Sequence, residues 1–89
     1  MARYELPGIE TAALGGAYPS ADALFDLGIK YSTGGGTPAD LVSAHKWFNL
    51  AAMRGRSEAI LYRQEIAAEM SEAQVAAAQR AARDWLARH

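Results

Sequence analysis

From Ser20 onward, apolar positions recur at spacings of three and four, the interval that lines one face of an α-helix. The first stripe is Ala23, Leu24, Leu27 and Tyr31, with Phe25 and Ile29 beside it. Ser20 supplies a hydroxyl to cap the free amides at its start. Gly28 interrupts the stripe, and a mid-helix glycine costs about 1 kcal/mol relative to alanine. Its presence implies that another backbone or a large ring packs against that spot.

A second stripe follows a glycine-rich stretch: Leu41, Ala44, Trp47, Phe48, Ala51 and Ala52. "TPAD" reads as its start, with Thr37 as cap, Pro38 at the first helical position and Asp40 adding negative charge where the helix dipole favours it. Gly55 is placed to end it in the left-handed conformation. A third helix is expected from Ser57 and Glu58 through Ala59, Ile60, Tyr62, Arg63, Ile66 and Ala67. A fourth begins at "SEAQ", a capping box in which Ser71 caps and Gln74 reaches back. It continues through Val75, Ala78, Ala82, Trp85 and Leu86. The Glu69-Met70 junction is short, which predicts that the third and fourth helices are antiparallel neighbours.

The spacing of these features suggests repetition. Ala23 and Ala59 lie 36 positions apart, each just after a candidate capping serine, and Trp47 and Trp85 lie 38 apart. The chain therefore reads as all-α: an α/α solenoid of two helix-turn-helix units, four antiparallel helices in all, spanning residues 20–55 and 56–89. Residues 1–19 lack a clear pattern. Pro7-Gly8 and Gly15-Gly16 are turn signals. Leu6, Ile9, Leu14 and Tyr18 are apolar enough to dock, so this segment reads as a partly ordered arm.

Composition narrows the functional classes. The chain has 89 residues, 51% hydrophobic and 21% charged, as expected of one small globular domain. Its net charge of −1 gives no long-range attraction to nucleic acid or to an anionic membrane. No cysteine is present, so there is no disulfide framework, thiol nucleophile or thiolate metal site. Glu5, Pro7 and Glu10 break up any apolar leader, and no stretch approaches the roughly 20 apolar residues of a spanning helix. The expected location is cytoplasmic.

The stretch from Ala23 to Ala59 resembles the Sel-one-like repeat, an α/α solenoid repeat related to the tetratricopeptide repeat. The matching positions are Ala23, Leu27, Gly28, Tyr31, Gly34, Gly36, Asp40, Ala44, Trp47, Phe48, Ala51, Ala52, Gly55 and Ala59. The second unit departs from the pattern: Gln64 stands where the Leu-Gly glycine should be, and no Gly-x-Gly turn follows. It reads as a degenerate closing repeat. The resemblance implies a non-enzymatic adaptor that brings protein partners together, often in bacterial signalling or envelope-related processes. The concave face of such a solenoid, formed by the first and third helices, would present Asp26, Lys30, Tyr62 and Arg63 to a partner.

Catalytic readings fare less well. The stretch from Ser32 to Gly36 is glycine-rich and precedes a helix, as phosphate loops do. It lacks the Gly-Lys-Ser/Thr ending, and it follows a helix where a phosphate loop follows a strand, so it reads as a turn. His45 reads as a surface or packed residue, with Asp40 as its candidate pairing partner. No nucleophile-base-orienter set, metal-site spacing or cofactor motif is present. Arg80, Arg83 and Arg88 form no single-sign stripe, because Glu72 and Asp84 interrupt them. The alternative function is a small-ligand-binding or hydrolytic protein acting on a cell-wall-type substrate, as linked to some cysteine-rich relatives. The missing cysteines and the absence of Ser-x-x-Lys weaken that link.

Repeat arrays usually need three or more units for stability, and this chain has two. The shortfall can be met by the N-terminal arm, by a homodimer or by a larger array. The alanine-rich fourth helix favours the homodimer.

Overall fold

A computed structural model describes residues 19–34 and 39–88. The arm over residues 1–18, the turn positions Gly36, Thr37 and Pro38, and His89 lie outside the described residues. Among the described residues four helices run in order: α1 Ala21–Thr33, α2 Leu41–Met53, α3 Glu58–Ala67 and α4 Glu72–Arg88. Among the described residues there is no strand.

Local chemistry sets most of the helix ends. Ser20 sits in extended backbone and its Oγ accepts from the Ala23 amide at 3.1 Å. Gly34 closes α1 in the left-handed conformation and its amide donates to the Lys30 carbonyl. The start of α2 corrects the sequence expectation. Asp40 is its cap, not a first-turn acid: its backbone is extended, its Oδ1 accepts from the Ser43 amide at 3.1 Å, and its Oδ2 accepts from the Ser43 hydroxyl at 2.7 Å. A carboxylate with two local donors holds this position better than a residue buried in the first turn would. The Asp40 amide donates to the Tyr31 carbonyl at 2.9 Å, which ties the end of α1 to the start of α2.

The end of α2 is a Schellman turn. The Gly55 amide donates to Ala52 and the Arg56 amide to Ala51, with Gly55 at φ 105°. A residue with a Cβ at that angle is strained, so glycine is required. The turn feeds α3 directly. Ser57 is already helical and its side chain makes no capping bond, because the amides of Ala59 and Ile60 donate to the Arg56 and Ser57 carbonyls. The capping box of α4 is complete: the Gln74 amide donates to Ser71 Oγ at 3.1 Å, and the Ser71 amide donates to Gln74 Oε1 at 2.8 Å.

The core lies around α2. Leu24 and Phe25 of α1, Ala44, Trp47, Phe48, Leu50 and Ala51 of α2, Ala59 of α3, and Ala82 and Trp85 of α4 are buried together. Burying each large side chain contributes on the order of 1.5–3 kcal/mol. Gly28 answers its sequence question: a Cβ there would lie 2.5 Å from the Phe48 ring. Glycine is the residue that lets the ring lie flat against the α1 backbone.

The expected α3–α4 neighbour pair is not what forms. The close helix contacts are α1 with α2, α2 with α3, and α2 with α4. The helices of the second unit are joined by a short connection, yet each seats on α2 and not on the other. Gln64, in the middle of α3, is exposed.

Candidate functional site

Aromatic rings fasten the outer helices to α2. Phe25, Phe48 and Tyr62 form a triad across α1, α2 and α3, with ring centroids 5.5 Å (Phe25–Phe48), 5.0 Å (Phe25–Tyr62) and 5.4 Å (Phe48–Tyr62) apart. The Phe25–Tyr62 contact is edge to face at 82°, the geometry that the ring quadrupoles favour. On α4, Trp85 meets Trp47 edge to face at 5.8 Å. Arg56 closes the triad from the Schellman turn. Its guanidinium lies 4.1 Å from the Phe25 ring centroid and bonds to Asp22 at 2.6 Å and Glu58 at 2.8 Å. Asp22 first, and then Glu58, hold it more firmly protonated than a free arginine. The first turns of α1 and α3 are thereby drawn together.

The apolar residues left over collect on α3. Leu61 is 58% exposed, Ile60 40% and Tyr62 36%; Met53, at the end of α2, is 59% exposed. Leu61 lies on the side of α3 away from the buried Ala59, since two residues advance a helix by about 200°, just over half a turn. Near this stretch in sequence, Glu65 on α3, Glu69 just after it and Glu72 at the start of α4 are exposed. Arg80, Arg83 and Arg88, at the far end of α4, are also exposed.

Of the partner-binding residues expected from the sequence, Asp26 and Lys30 are exposed on α1. Tyr62 has one face in the aromatic triad. Arg63 is half-buried and turned inward, its Nη1 donating to Asn49 Oδ1 at 2.7 Å. The structure thus separates the four: Asp26 and Lys30 face solvent, while Tyr62 and Arg63 also fasten α3. Sequence reasoning missed Leu61, which breaks the three-and-four spacing and so drops out of any stripe. An apolar residue out of phase was the available signal.

His45 is 3% exposed, and its Nδ1 has no hydrogen-bond partner among the described residues. Asp40, its expected partner, is occupied by Ser43. Burial, and then the Arg63 charge, push the imidazole below its ordinary value, so it is held neutral. An orphaned buried polar atom costs about 1–3 kcal/mol. Among the described residues, no group of three or more His, Cys, Asp or Glu side chains gathers to hold a metal ion. No helix among them is long and apolar enough to cross a membrane.

In comparisons with known proteins, no family model, curated protein or solved structure matches this chain.

Proposed function

We propose that this chain is a protein–protein interaction module of the Sel-one-like repeat type, a solenoid fragment whose open end is α3, and that its first partner is a second copy of itself. One observation carries the reading: Leu61 and Ile60 stand exposed on a helix that, among the described residues, packs mainly on α2 and touches α1 through the Tyr62 ring. A side chain as large as leucine gains free energy when such exposure is removed. The exposed Glu65, Glu69 and Glu72, near in sequence, favour a partner that surrounds an apolar face with cations. Arg80, Arg83 and Arg88 of a second chain meet that description. Asp26 and Lys30 extend the face along α1.

Sedimentation equilibrium of the wild-type chain and of Leu61→Asp tests this. A dimer that loosens at high salt and is lost in Leu61→Asp supports the reading. A stable monomer at tens of micromolar (about ten times a micromolar Kd) overturns the second-copy assignment. Crosslinking in the native cell, with Leu61→Asp as control, then decides the wider one. A protein captured by the wild-type chain and lost in the variant supports an adaptor with a different partner. The same capture by both overturns the face.

A further inference from the structure

The imidazole of His45 on α2 is buried, 3% exposed. His45 and Asn49 are four residues apart, so they occupy one face of α2 a turn apart. Arg63 reaches that face from α3, bonding to Asn49 while its charge acts on His45. The seam between α2 and α3 thus holds one fixed cation and one neutral amide, and that cation's charge acts on one titratable ring with an orphaned nitrogen.

We propose that this seam is an acid-sensitive latch: protonation of His45 places a second cation beside Arg63 inside the α2–α3 contact and releases α3, while α1 and α4 stay on α2.

The surrounding charges do not offset that second cation. On α3, Glu58 is bonded to Arg56 and Glu65 is exposed. From α1, Asp22, Asp26 and Lys30 are exposed, and from α4 so are Glu72, Arg80, Arg83, Asp84 and Arg88. On α2 itself, Asp40 holds Ser43 and Lys46 lies over the Trp47 ring at 4.1 Å. The remaining titratable groups on the packed elements are the phenols of Tyr31 and Tyr62. Among the described residues no carboxylate bonds to Nδ1 of the imidazole, so a proton gained there adds to the Arg63 charge.

The structure also says why α3 would yield first. It is 10 residues long and Ala59 is its one fully buried residue. Its other holds are the Tyr62 ring, the half-buried Ile66 packed against the core, and the Arg63–Asn49 bond. By contrast, α1 buries Leu24, Phe25 and Gly28, and α4 buries Ala78, Ala82 and Trp85. Elements with few buried contacts open at lower free energy than the rest of a fold. The latch does not require the proposed interaction face, although release of α3 would also move Ile60 and Leu61.

Amide hydrogen exchange on the full chain, corrected for the pH dependence of intrinsic exchange, tests the latch between about pH 7.5 and about pH 5, the range in which histidine titrates. Protection of α3 relative to α1 should fall by about tenfold or more, one proton's linkage per pH unit. His45→Gln, which keeps a neutral side chain, should abolish the fall. Arg63→Gln should lower α3 protection at both pH values and shrink the ratio between them, which decides the matter if His45→Gln does not fold. The latch is overturned by α1 and α3 losing protection together, by α3 staying protected at the acid end, or by an unchanged fall in either variant.

Discussion

The first two helices of this chain and the last two pack differently. In the first, Gly28 lets the Phe48 ring press onto the α1 backbone, and the Asp40 amide bonds to the Tyr31 carbonyl across the turn. In the second, the position matching Gly28 is Gln64, and that matching Phe48 is Leu86, half-buried. Trp85 keeps the place of Trp47, but it seats on Trp47 itself and not on α3. The close approach that Gly28 permits in the first pair has no glycine to support it within α3. The first pair makes its own interface, whereas the second borrows α2.

The largest test of this contrast is Trp47→Ala. Trp47 joins the pair that closes on itself to the helix that does not. Removing it should cost about 3–5 kcal/mol, enough to unfold a domain of ordinary stability. Thermal melting by circular dichroism reads this directly, and a cooperative transition surviving near the wild-type temperature would deny that one core serves both pairs.

Gly28→Ala should destabilise by about 1–3 kcal/mol through the Phe48 clash, against the gain of about 1 kcal/mol that alanine brings to a helix interior. Gln64→Ala, on the open pair, should be neutral to slightly stabilising in the same urea titration. Equal effects at the two positions would remove the distinction between the pairs.

The pH response separates them further. Held neutral in the fold, His45 has a folded pKa below its unfolded value of 6.5. Its contribution is fully present above the unfolded value and is lost as pH falls below it toward the folded value, since the unfolded chain binds the proton first. The slope there cannot exceed about 1.4 kcal/mol per pH unit for one proton. Urea midpoints of the wild type and His45→Gln, measured across that range, should converge as pH falls. Parallel curves would mean that His45 is not the group responsible.

The smallest effects are at the caps. Ser20→Ala and Ser71→Ala should each cost about 1 kcal/mol, because each hydroxyl accepts an otherwise free amide. Ser57→Ala should cost no more than a few tenths, because backbone carbonyls already hold the start of α3. A cost at Ser57 equal to that at Ser71 would show that the Schellman turn does not carry the entry into α3.

Much of this was legible along the chain. The helices, the Ser20 cap, the Ser71–Gln74 box, the left-handed Gly55 and the need for a large ring at Gly28 all follow from residue type and spacing. The start of α2 was misplaced because Thr37 and Asp40 both satisfy the rules for a cap, and side-chain reach to a particular amide decides between them. His45 was read as inert. Its isolation depends on Asp40 turning to Ser43 and on Arg63 arriving from another helix, neither of which leaves a mark in local sequence.

What the sequence determined by itself is therefore local: which segments are helical, where most of them stop, and which face of each is apolar. Those properties depend on backbone amides and side chains within about one turn of each other. Tertiary structure alone decided that α2 is the hub, that α3 and α4 part, that Leu61 is left exposed and that the charge of an arginine on α3 acts on a buried histidine of α2. Each of these depends on which surfaces meet across tens of residues, where shape and not spacing selects the partner.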